Sequence, residues 1–186
     1  MVGKAGGELV SCRKVMRMTK KASFLVGFNN RGKTRSIYDL FGRSRFYFGR
    51  TYIISSVNAS FTVLSASNDD YSERTFIQKA QERINRSPDK RKNFFGALCP
   101  SREPGNDSRR ILETAPFNRY EIHLMMLKYK WDFHAELKIE AIEQYLFGLS
   151  NIRFHVVNAD STLQGDSERG SARESQIILQ LRAIYA

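Results

Sequence analysis

The sequence predicts one compact α+β domain, in which a mostly antiparallel sheet packs with two or three helices. Three observations support this fold class. Apolar residues alternate in several short segments, they recur every three to four residues in others, and the composition is 41% hydrophobic and 26% charged. A chain of 186 residues has the length of one domain that buries its own core. We therefore expect a flexible basic arm over 1–22 and a single folded domain over 23–186.

The first half of this domain is predicted to contain short strands and two helices. Strands rich in aromatic and β-branched residues are predicted at 23–28, 46–48, 51–56 and 59–65. A short helix with Ile37 and Leu40 on one face ends at Gly42, since glycine accepts the left-handed backbone of a helix end. A second helix opens at Asn68-Asp69-Asp70 and runs to about Asn85.

The second half begins with a polar connection. Residues 86–118 contain all four prolines and are predicted to form a long mobile loop. Alternating apolar residues then predict a strand over 120–133, and a helix over 137–147 ends at Gly148. A strand at 152–156 and a loop at 158–174 follow. The alternation of Ile177, Leu179, Leu181 and Tyr185 predicts a closing strand.

The charge of the chain is concentrated at its start. The first 50 residues contain twelve Lys and Arg but only two acids, so they carry +10 of the total charge of +11. Such asymmetry favours an anionic polymer or surface as partner. The basic residues of the arm are Lys4, Arg13, Lys14, Arg17, Lys20 and Lys21. Those of a folded basic face are Arg31, Lys33, Arg35, Arg43, Arg45 and Arg50.

A second basic cluster, Lys90-Arg91-Lys92, directly precedes Phe94 and Phe95. Basic residues beside exposed rings suit an anionic membrane surface, because the charges attract lipid headgroups while the rings enter the interface. A nuclear-import patch is an alternative, as is a Phe pair buried in the core. No apolar run approaches the roughly 20 residues that span a bilayer, so membrane contact would be peripheral.

One segment, Gly27-Phe28-Asn29-Asn30-Arg31-Gly32-Lys33-Thr34, fits the phosphate-binding loop pattern GxxxxGK[ST]. A strand precedes it and a helix follows, as this loop requires. However, the helix lasts only about two turns, and no run of parallel strands alternating with helices is predicted downstream. Asp160 is the only predicted acid after a strand that would suit a metal. A basic turn is the favoured interpretation, with a small P-loop NTPase as the alternative.

Other chemical groups give little indication of catalysis. Cys12 and Cys99 lie far apart and match no zinc or redox spacing. His123 and His155 lie in predicted strands and could approach one another, but no Cys/His/carboxylate set accompanies them. We therefore expect no enzymatic activity, no cofactor and no metal site.

The order of elements resembles that of rhabdovirus matrix proteins. The resemblance rests on Phe24–Phe28, the turn Asn29-Asn30-Arg31, Thr34–Phe41, and the strand regions Tyr52–Leu64 and Tyr120–Phe133. It implies a compact α+β domain with a basic arm, self-association into homo-oligomers, contact with viral nucleoprotein and RNA, and peripheral binding to an anionic membrane. It also implies location in the virion, the host cytoplasm and the inner face of membranes, with the nucleus as an alternative.

The sequence therefore predicts a non-enzymatic viral matrix-type assembly protein that bridges the nucleocapsid and a membrane. The alternative is a sequence-independent RNA-binding protein, such as a viral silencing suppressor, because Lys and Arg bind phosphates without reading bases.

Overall fold

The structure, a computed structural model, describes residues 20–29, 32–129, 137–159 and 165–186. Over these residues strands and helices alternate along the chain. The strands are β1 (Lys21–Val26), β2 (Tyr52–Ile53), β3 (Ser60–Leu64), β4 (Phe94–Leu98), β5 (Glu121–Leu127) and β6 (Ile152–Val157). The helices are α1 (Lys33–Phe41), α2 (Glu73–Asn85), α3 (Ser108–Glu113), α4 (Ile139–Tyr145) and α5 (Asp166–Ile184), with a 3-10 turn at Phe117–Arg119.

All six strands form one sheet in the order β2-β3-β4-β1-β5-β6. The single compact α+β domain is thus confirmed, but the prediction of a mostly antiparallel sheet with two or three helices is wrong, since the described residues contain five helices. Every neighbouring pair is parallel except β2 with β3. The physical reason is visible in β1 and β4, which are buried almost throughout because helices cover both faces of the sheet.

The helices form a layer on each face. α1 leads from β1 toward the β2–β3 edge, whereas α2, α3 and α4 make their crossovers in the opposite direction across the sheet. Since crossover connections between parallel strands are right-handed, this reversal places α1 on one face and the next three helices on the other. Ile37 of α1 accordingly shares an apolar cluster with Leu181 of α5, while Phe76, Ile111 and Ile142 belong to the cluster on the opposite face.

The two helices predicted in the first half are confirmed, but α2 begins at Glu73 and not at Asn68-Asp69-Asp70, which form a turn. Gly42 ends α1 with φ 58°, and its amide donates to the Asp39 carbonyl. The Ser72 hydroxyl caps α2 by accepting from the Thr75 amide. Of the predicted strands, 46–48 is not a strand, and 51–56 shrinks to the two residues of β2.

The prediction of a loop and a strand at the C-terminal end is wrong, because α5 occupies Asp166–Ile184. Ile177, Leu181 and Ile184 are buried while Leu179 is 68% exposed. Spacings of four and three residues place the buried side chains on one side of a helix, whereas a strand would have put Leu179 on the same face as Leu181.

The mobile loop predicted over 86–118 is also wrong. β4 occupies its middle and pairs with both β1 and β3, and α3 and a 3-10 turn follow. Phe94 and Phe95 are fully buried on opposite faces of the sheet, so these two rings are core residues and not membrane-contact residues. Lys90 and Arg91 are exposed and Lys92 is half-buried, in the turn before β4.

Most of the predicted basic arm lies outside the described residues, including Lys4, Arg13, Lys14 and Arg17. Lys20 is exposed at the start of the described part. The arm does not extend to residue 22, because Lys21 begins β1 and its ammonium group donates to the Ile184 carbonyl. No helix among the described residues has both the length and the apolar character needed to cross a bilayer.

Candidate phosphate-binding site

The segment that fits the phosphate-binding loop pattern lies between the central strand β1 and helix α1. Of the two features that argue against this pattern in the sequence, the structure overturns one and confirms the other. Four further parallel strands alternate with helices downstream, so the predicted absence of such strands is wrong. α1 does end after nine residues, as predicted.

The loop also occupies the place where open parallel sheets bind ligands. The chain leaves β1 toward the β2–β3 side of the sheet, whereas it leaves the neighbouring strand β5 toward β6. Ligands bind at the carboxyl ends of strands where adjacent connections diverge in this way. The residues after β1, β3 and β4 share this edge, because the three strands are parallel.

Lys33 is the central side chain of the site. Its ammonium group donates to the Gly27 carbonyl at 2.8 Å and to the Phe28 carbonyl at 3.1 Å. The Lys33 side chain is only 6% exposed. Contrary to the prediction, Lys33 therefore does not belong to a solvent-facing basic surface. Lys33 reaches from α1 back to the end of β1, so one buried cation joins these two elements.

The start of α1 supplies backbone donors. Gly32 has φ 76°, a left-handed conformation that glycine adopts at little cost, and α1 begins directly after it. The first intrahelical bond runs from the Ser36 amide to the Gly32 carbonyl, so the amides of residues 33–35 precede the helical ladder. The first turn contains no acidic side chain. The positive end of the helix dipole therefore meets no helix carboxylate there.

Residues after β3 form the opposite wall of a pocket of about 210 Å³. Asn29, Gly32, Lys33, Thr34 and Arg35 line it from the loop side, and Ser67 and Asp70 line it from the other. The Thr34 hydroxyl donates to the Ser65 carbonyl at 3.1 Å, which ties α1 to this wall and leaves its oxygen lone pairs as acceptors.

Asp69 and Asp70 are held in different ways. The Asp69 carboxylate is nearly inaccessible: one oxygen accepts from the Ser67 hydroxyl, and the other lies 3.6 Å from the Lys33 ammonium. That second oxygen has no hydrogen-bond partner among the described residues. Asp70 accepts from the Ser67 amide at 2.8 Å and is exposed at the pocket. Lys33 thus has a buried acid beside it and a solvent-accessible acid across the pocket.

Cys99 follows β4, the strand beside β1. Burial, and next the negative charge of Asp69, raise the pKa of its thiol to about 11. Cys99 therefore stays protonated at neutral pH, and its thiol serves as a hydrogen-bond partner of Asp69. The carboxylates of this site, Asp69 and Asp70, therefore lie in the loop after β3. The residue that follows β4, the strand beside β1, is a protonated thiol and not an acid.

Asn68 joins the loops that follow β3 and β4. Its side-chain oxygen accepts from the Cys99 amide at 2.7 Å, and its amide group donates to the Cys99 carbonyl at 3.1 Å. The same amide group donates to Asn106 at 2.7 Å. Asn68 is fully buried, so these bonds are shielded from competing water.

The oxygen groups of the pocket fit Mg²⁺, a metal that prefers oxygen ligands and usually retains several waters. The exposed Asp70 carboxylate and the Thr34 hydroxyl are such groups, whereas the Asp69 carboxylate is buried behind the pocket wall and does not line it. No group of three or more His, Cys, Asp or Glu suited to a metal occurs in the part of the chain that the structure describes. A metal here would thus depend on phosphate and water for its other ligands.

Sequence reasoning missed the acids of this pocket. The sequence predicts a helix opening at Asn68-Asp69-Asp70 and offers Asp160 as the acid suited to a metal, and Asp160 lies outside the described residues. The available signal was position: Asp69 and Asp70 follow the apolar strand β3 within a few residues.

The remaining residues of the predicted basic face lie apart from the pocket or at its rim. Arg31 is outside the described residues. Arg35 is exposed and forms an ion pair of 3.0 Å with Asp39 one turn along α1. Arg43, Arg45 and Arg50 are exposed in the segment between α1 and β2, beyond the far end of α1.

The predicted approach of His123 and His155 is confirmed, with 3.0 Å between the Nδ1 of His123 and the Nε2 of His155. The pair lies on neighbouring strands β5 and β6, and burial lowers the pKa of both rings, that of His123 to about 4. Both histidines are therefore neutral at pH 7.

No protein-family model, no curated protein and no solved structure matches this chain.

Proposed function

We propose that this chain binds a nucleoside triphosphate on the 27–34 loop and transfers its terminal phosphoryl group. The observation that carries the proposal is the position of Lys33. Its buried ammonium group stands at a strand–loop–helix junction, bonded to the Gly27 and Phe28 carbonyls, at the diverging carboxyl ends of a parallel sheet. Such a loop presents backbone N–H groups and one lysine to a polyphosphate.

The loop and the helix supply the binding step. The amides at the start of α1 and the dipole of the helix favour an anion, and the Lys33 ammonium adds a full positive charge. The carbonyls that hold Lys33 are neutral acceptors, so a phosphate oxygen competes with them by a charge-assisted bond.

The wall after β3 supplies the groups for the transfer step. Mg²⁺, when bound, would neutralise phosphate charge, and the Thr34 hydroxyl is the group that would hold it together with phosphate and water. Asp70 is the acid that solvent reaches in the pocket, so it is the group placed to accept a proton from a water molecule that attacks the terminal phosphorus, with the nucleoside diphosphate as the leaving group. Asp69 keeps the charge of Lys33 balanced while the pocket is empty.

This proposal differs from the matrix-type function that the sequence predicts. Self-association, nucleoprotein contact and membrane binding stay predictions, as does the absence of enzymatic activity. The two functions separate experimentally, because nucleotide binding that depends on Lys33 has no place in a purely electrostatic assembly protein.

The test of nucleotide binding compares the full chain with Lys33→Ala and with Lys90→Ala, which removes an equal but exposed charge. Binding of fluorescent ATP and GTP analogues is measured with and without Mg²⁺. We expect Lys33→Ala to weaken binding by roughly 10- to 100-fold, as for loss of a charge-assisted hydrogen bond, and Lys90→Ala to leave it unchanged. Absence of binding in the unaltered chain, or equal binding in all three, overturns the proposal.

The test of phosphoryl transfer follows release of labelled terminal phosphate from ATP and GTP. Asp70→Asn should keep nucleotide binding and lower the rate by about 100-fold or more, the typical loss on removal of a general base. Phosphate release that is absent in the unaltered chain, despite Lys33-dependent binding, would reduce the function to nucleotide binding.

A further inference from the structure

We infer that this chain has a second anion-binding surface, which binds single-stranded nucleic acid and is distinct from the 27–34 loop. The surface consists of Arg43, Arg45, Tyr47, Phe48 and Arg50, from the segment between α1 and β2, together with Arg86 after α2. We call it the arginine–aromatic surface. It requires no nucleotide at the loop, so its test does not depend on the proposed function.

Its charge is of one sign and is exposed. The four arginines are exposed, and no acidic residue occurs between residues 43 and 50. Arginine is suited to phosphate because its planar guanidinium donates two parallel hydrogen bonds and is always charged. A row of such groups favours a polyanion over a single phosphate, since each contact releases counterions.

Two aromatic rings stand among these charges. Tyr47 is 55% exposed and Phe48 is 41% exposed, values that the neighbouring core aromatics do not approach. Aromatic rings at the surface of a basic segment provide stacking platforms for unpaired bases, whatever their sequence.

The segment that carries the two rings is anchored by hydrogen bonds and ring contacts. The Tyr47 amide donates to the Tyr52 hydroxyl at 2.7 Å, and Phe46 packs edge-on against Tyr52. Arg83 of α2 donates to the Phe46 carbonyl at 3.1 Å, and its guanidinium lies 4.3 Å from the centre of the Phe48 ring. The segment is therefore anchored to both α2 and the β2–β3 edge, and a ligand would meet an ordered surface.

The position of the guanidinium groups favours nucleic acid over a membrane. Arg50 lies 5.6 Å from the centre of the Tyr47 ring, and Arg86 lies 5.7 Å from that of Phe48. If either ring entered the lipid interior, the guanidinium group beside it would be buried with the ring. Burial of an unpaired charge is very unfavourable. Beside a nucleic acid the same guanidinium reaches a phosphate while the ring contacts a base.

The arginine–aromatic surface is remote from the candidate nucleotide site. It begins after Gly42, at the C-terminal end of α1, whereas the 27–34 loop adjoins the N-terminal end. Nine helical residues separate the two ends by roughly 13 Å. The surface and the loop therefore belong to opposite ends of α1 and share no residue.

The test measures fluorescence anisotropy of a labelled single-stranded oligo(U) of about 12 nucleotides, within the footprint of known single-strand binders, across a salt titration. The key variant is the triple change Arg43→Gln, Arg45→Gln, Arg50→Gln. The matched control, Arg91→Gln, Arg119→Gln, Arg153→Gln, removes the same charge from exposed arginines elsewhere. We expect the first triple to lower the salt slope by about two to three and the control to change it little.

A second pair of variants tests the stacking. Tyr47→Ala and Phe48→Ala should each weaken binding by about 5-fold or more without change in the salt slope, because no charge is lost. Thermal unfolding of every variant confirms that it is folded. Lys33→Ala should bind the oligonucleotide like the unaltered chain, which separates this surface from the loop.

Several outcomes overturn the inference. Equal losses in the two triples would mean that net charge alone attracts the oligonucleotide. Tighter binding to a duplex of the same length would exclude a single-strand surface. Binding of the unaltered chain to phosphatidylserine vesicles in place of the oligonucleotide, lost with Tyr47→Ala, would assign the surface to membranes.

Discussion

The Lys33 ammonium lies 3.6 Å from the buried Asp69 carboxylate, although the two residues follow different strands of the sheet. This distance is too long for a hydrogen bond, and the pair is joined by charge alone. Because both side chains are less than 10% exposed, removal of either one leaves a buried charge without its counterion.

We therefore expect a strong energetic coupling between Lys33 and Asp69. Lys33→Met should lower the free energy of unfolding by about 3 kcal/mol, and the double variant with Asp69→Asn should be more stable than the sum of the single losses predicts. Urea denaturation of the four proteins measures a coupling of roughly 1–2 kcal/mol.

The exposed pair Arg35 and Asp39 is the control for this cycle. Its ions are closer, at 3.0 Å, but the arginine is 73% exposed. Solvent screening should reduce its coupling to about 0.5 kcal/mol or less. A coupling between Lys33 and Asp69 no larger than this would contradict the buried ion pair.

The helical nature of α5 predicts opposite effects at two leucines only two residues apart. Leu181 is fully buried and Leu179 is 68% exposed. Leu181→Ala should cost about 2–5 kcal/mol in unfolding free energy, whereas Leu179→Ala should change it by about 0.5 kcal/mol or less. Similar losses at both positions would instead fit a strand, in which the two side chains share a face.

Acidification should destabilise the fold through His123. Burial lowers the pKa of this histidine to about 4 in the folded chain, against an ordinary 6.5. Between these values the unfolded chain binds a proton that the folded chain does not, so stability is present above pH 6.5 and is lost as the pH falls. We expect a loss of roughly 2 kcal/mol between pH 7.5 and pH 5.

The variant His123→Gln isolates this contribution, since glutamine is polar but does not titrate. Urea midpoints at pH 7.5 and pH 5 should lie closer together for the variant than for the unaltered chain. A pH dependence that His123→Gln leaves intact would assign the acid sensitivity to other groups.

We expect that β4 cannot accommodate a side chain at Gly96 unless the Phe94 ring moves. A Cβ atom at position 96 would lie 2.7 Å from the Phe94 ring and 3.4 Å from the Leu64 carbonyl. Gly96→Ala should therefore cost about 1–3 kcal/mol. Added to Phe94→Leu, which makes room for the methyl group, the same change should cost less. Equal costs in both backgrounds would show that the Phe94 ring is not the obstacle.

Much of the fold could be predicted from local patterns. The end of α1 at Gly42 and the apolar strand β5 each follow from a few neighbouring residues. The start of α2 does not, because the predicted opening at Asn68-Asp69-Asp70 precedes the actual cap at Ser72. α5 could not be assigned in this way, because Ile177, Leu179 and Leu181 fit a period of two as well as a helix, and only packing on the sheet decides between them.

The parallel direction of the strands could not be predicted, because the sequence pattern does not reveal one strand, β4. β4 is only five residues long and lies between proline-containing and basic segments, so the sequence predicts a loop there. Without β4 and α3, the predicted strands after β1 do not alternate with helices, and this order does not predict a parallel sheet. The phosphate-binding loop pattern is evident in the sequence, but the elements predicted to follow it lack β4 and α3, so the parallel sheet that such a loop requires is not predicted.

The buried side chain of Asn68 has a consequence for how a ligand would be received. Its three bonds join the loops after β3 and β4, so these loops form one stiff wall opposite α1. The conformational entropy of that wall is lost when the chain folds and not when a ligand arrives. A pocket organised in advance loses less binding free energy to ordering, so its affinity reflects the contacts themselves.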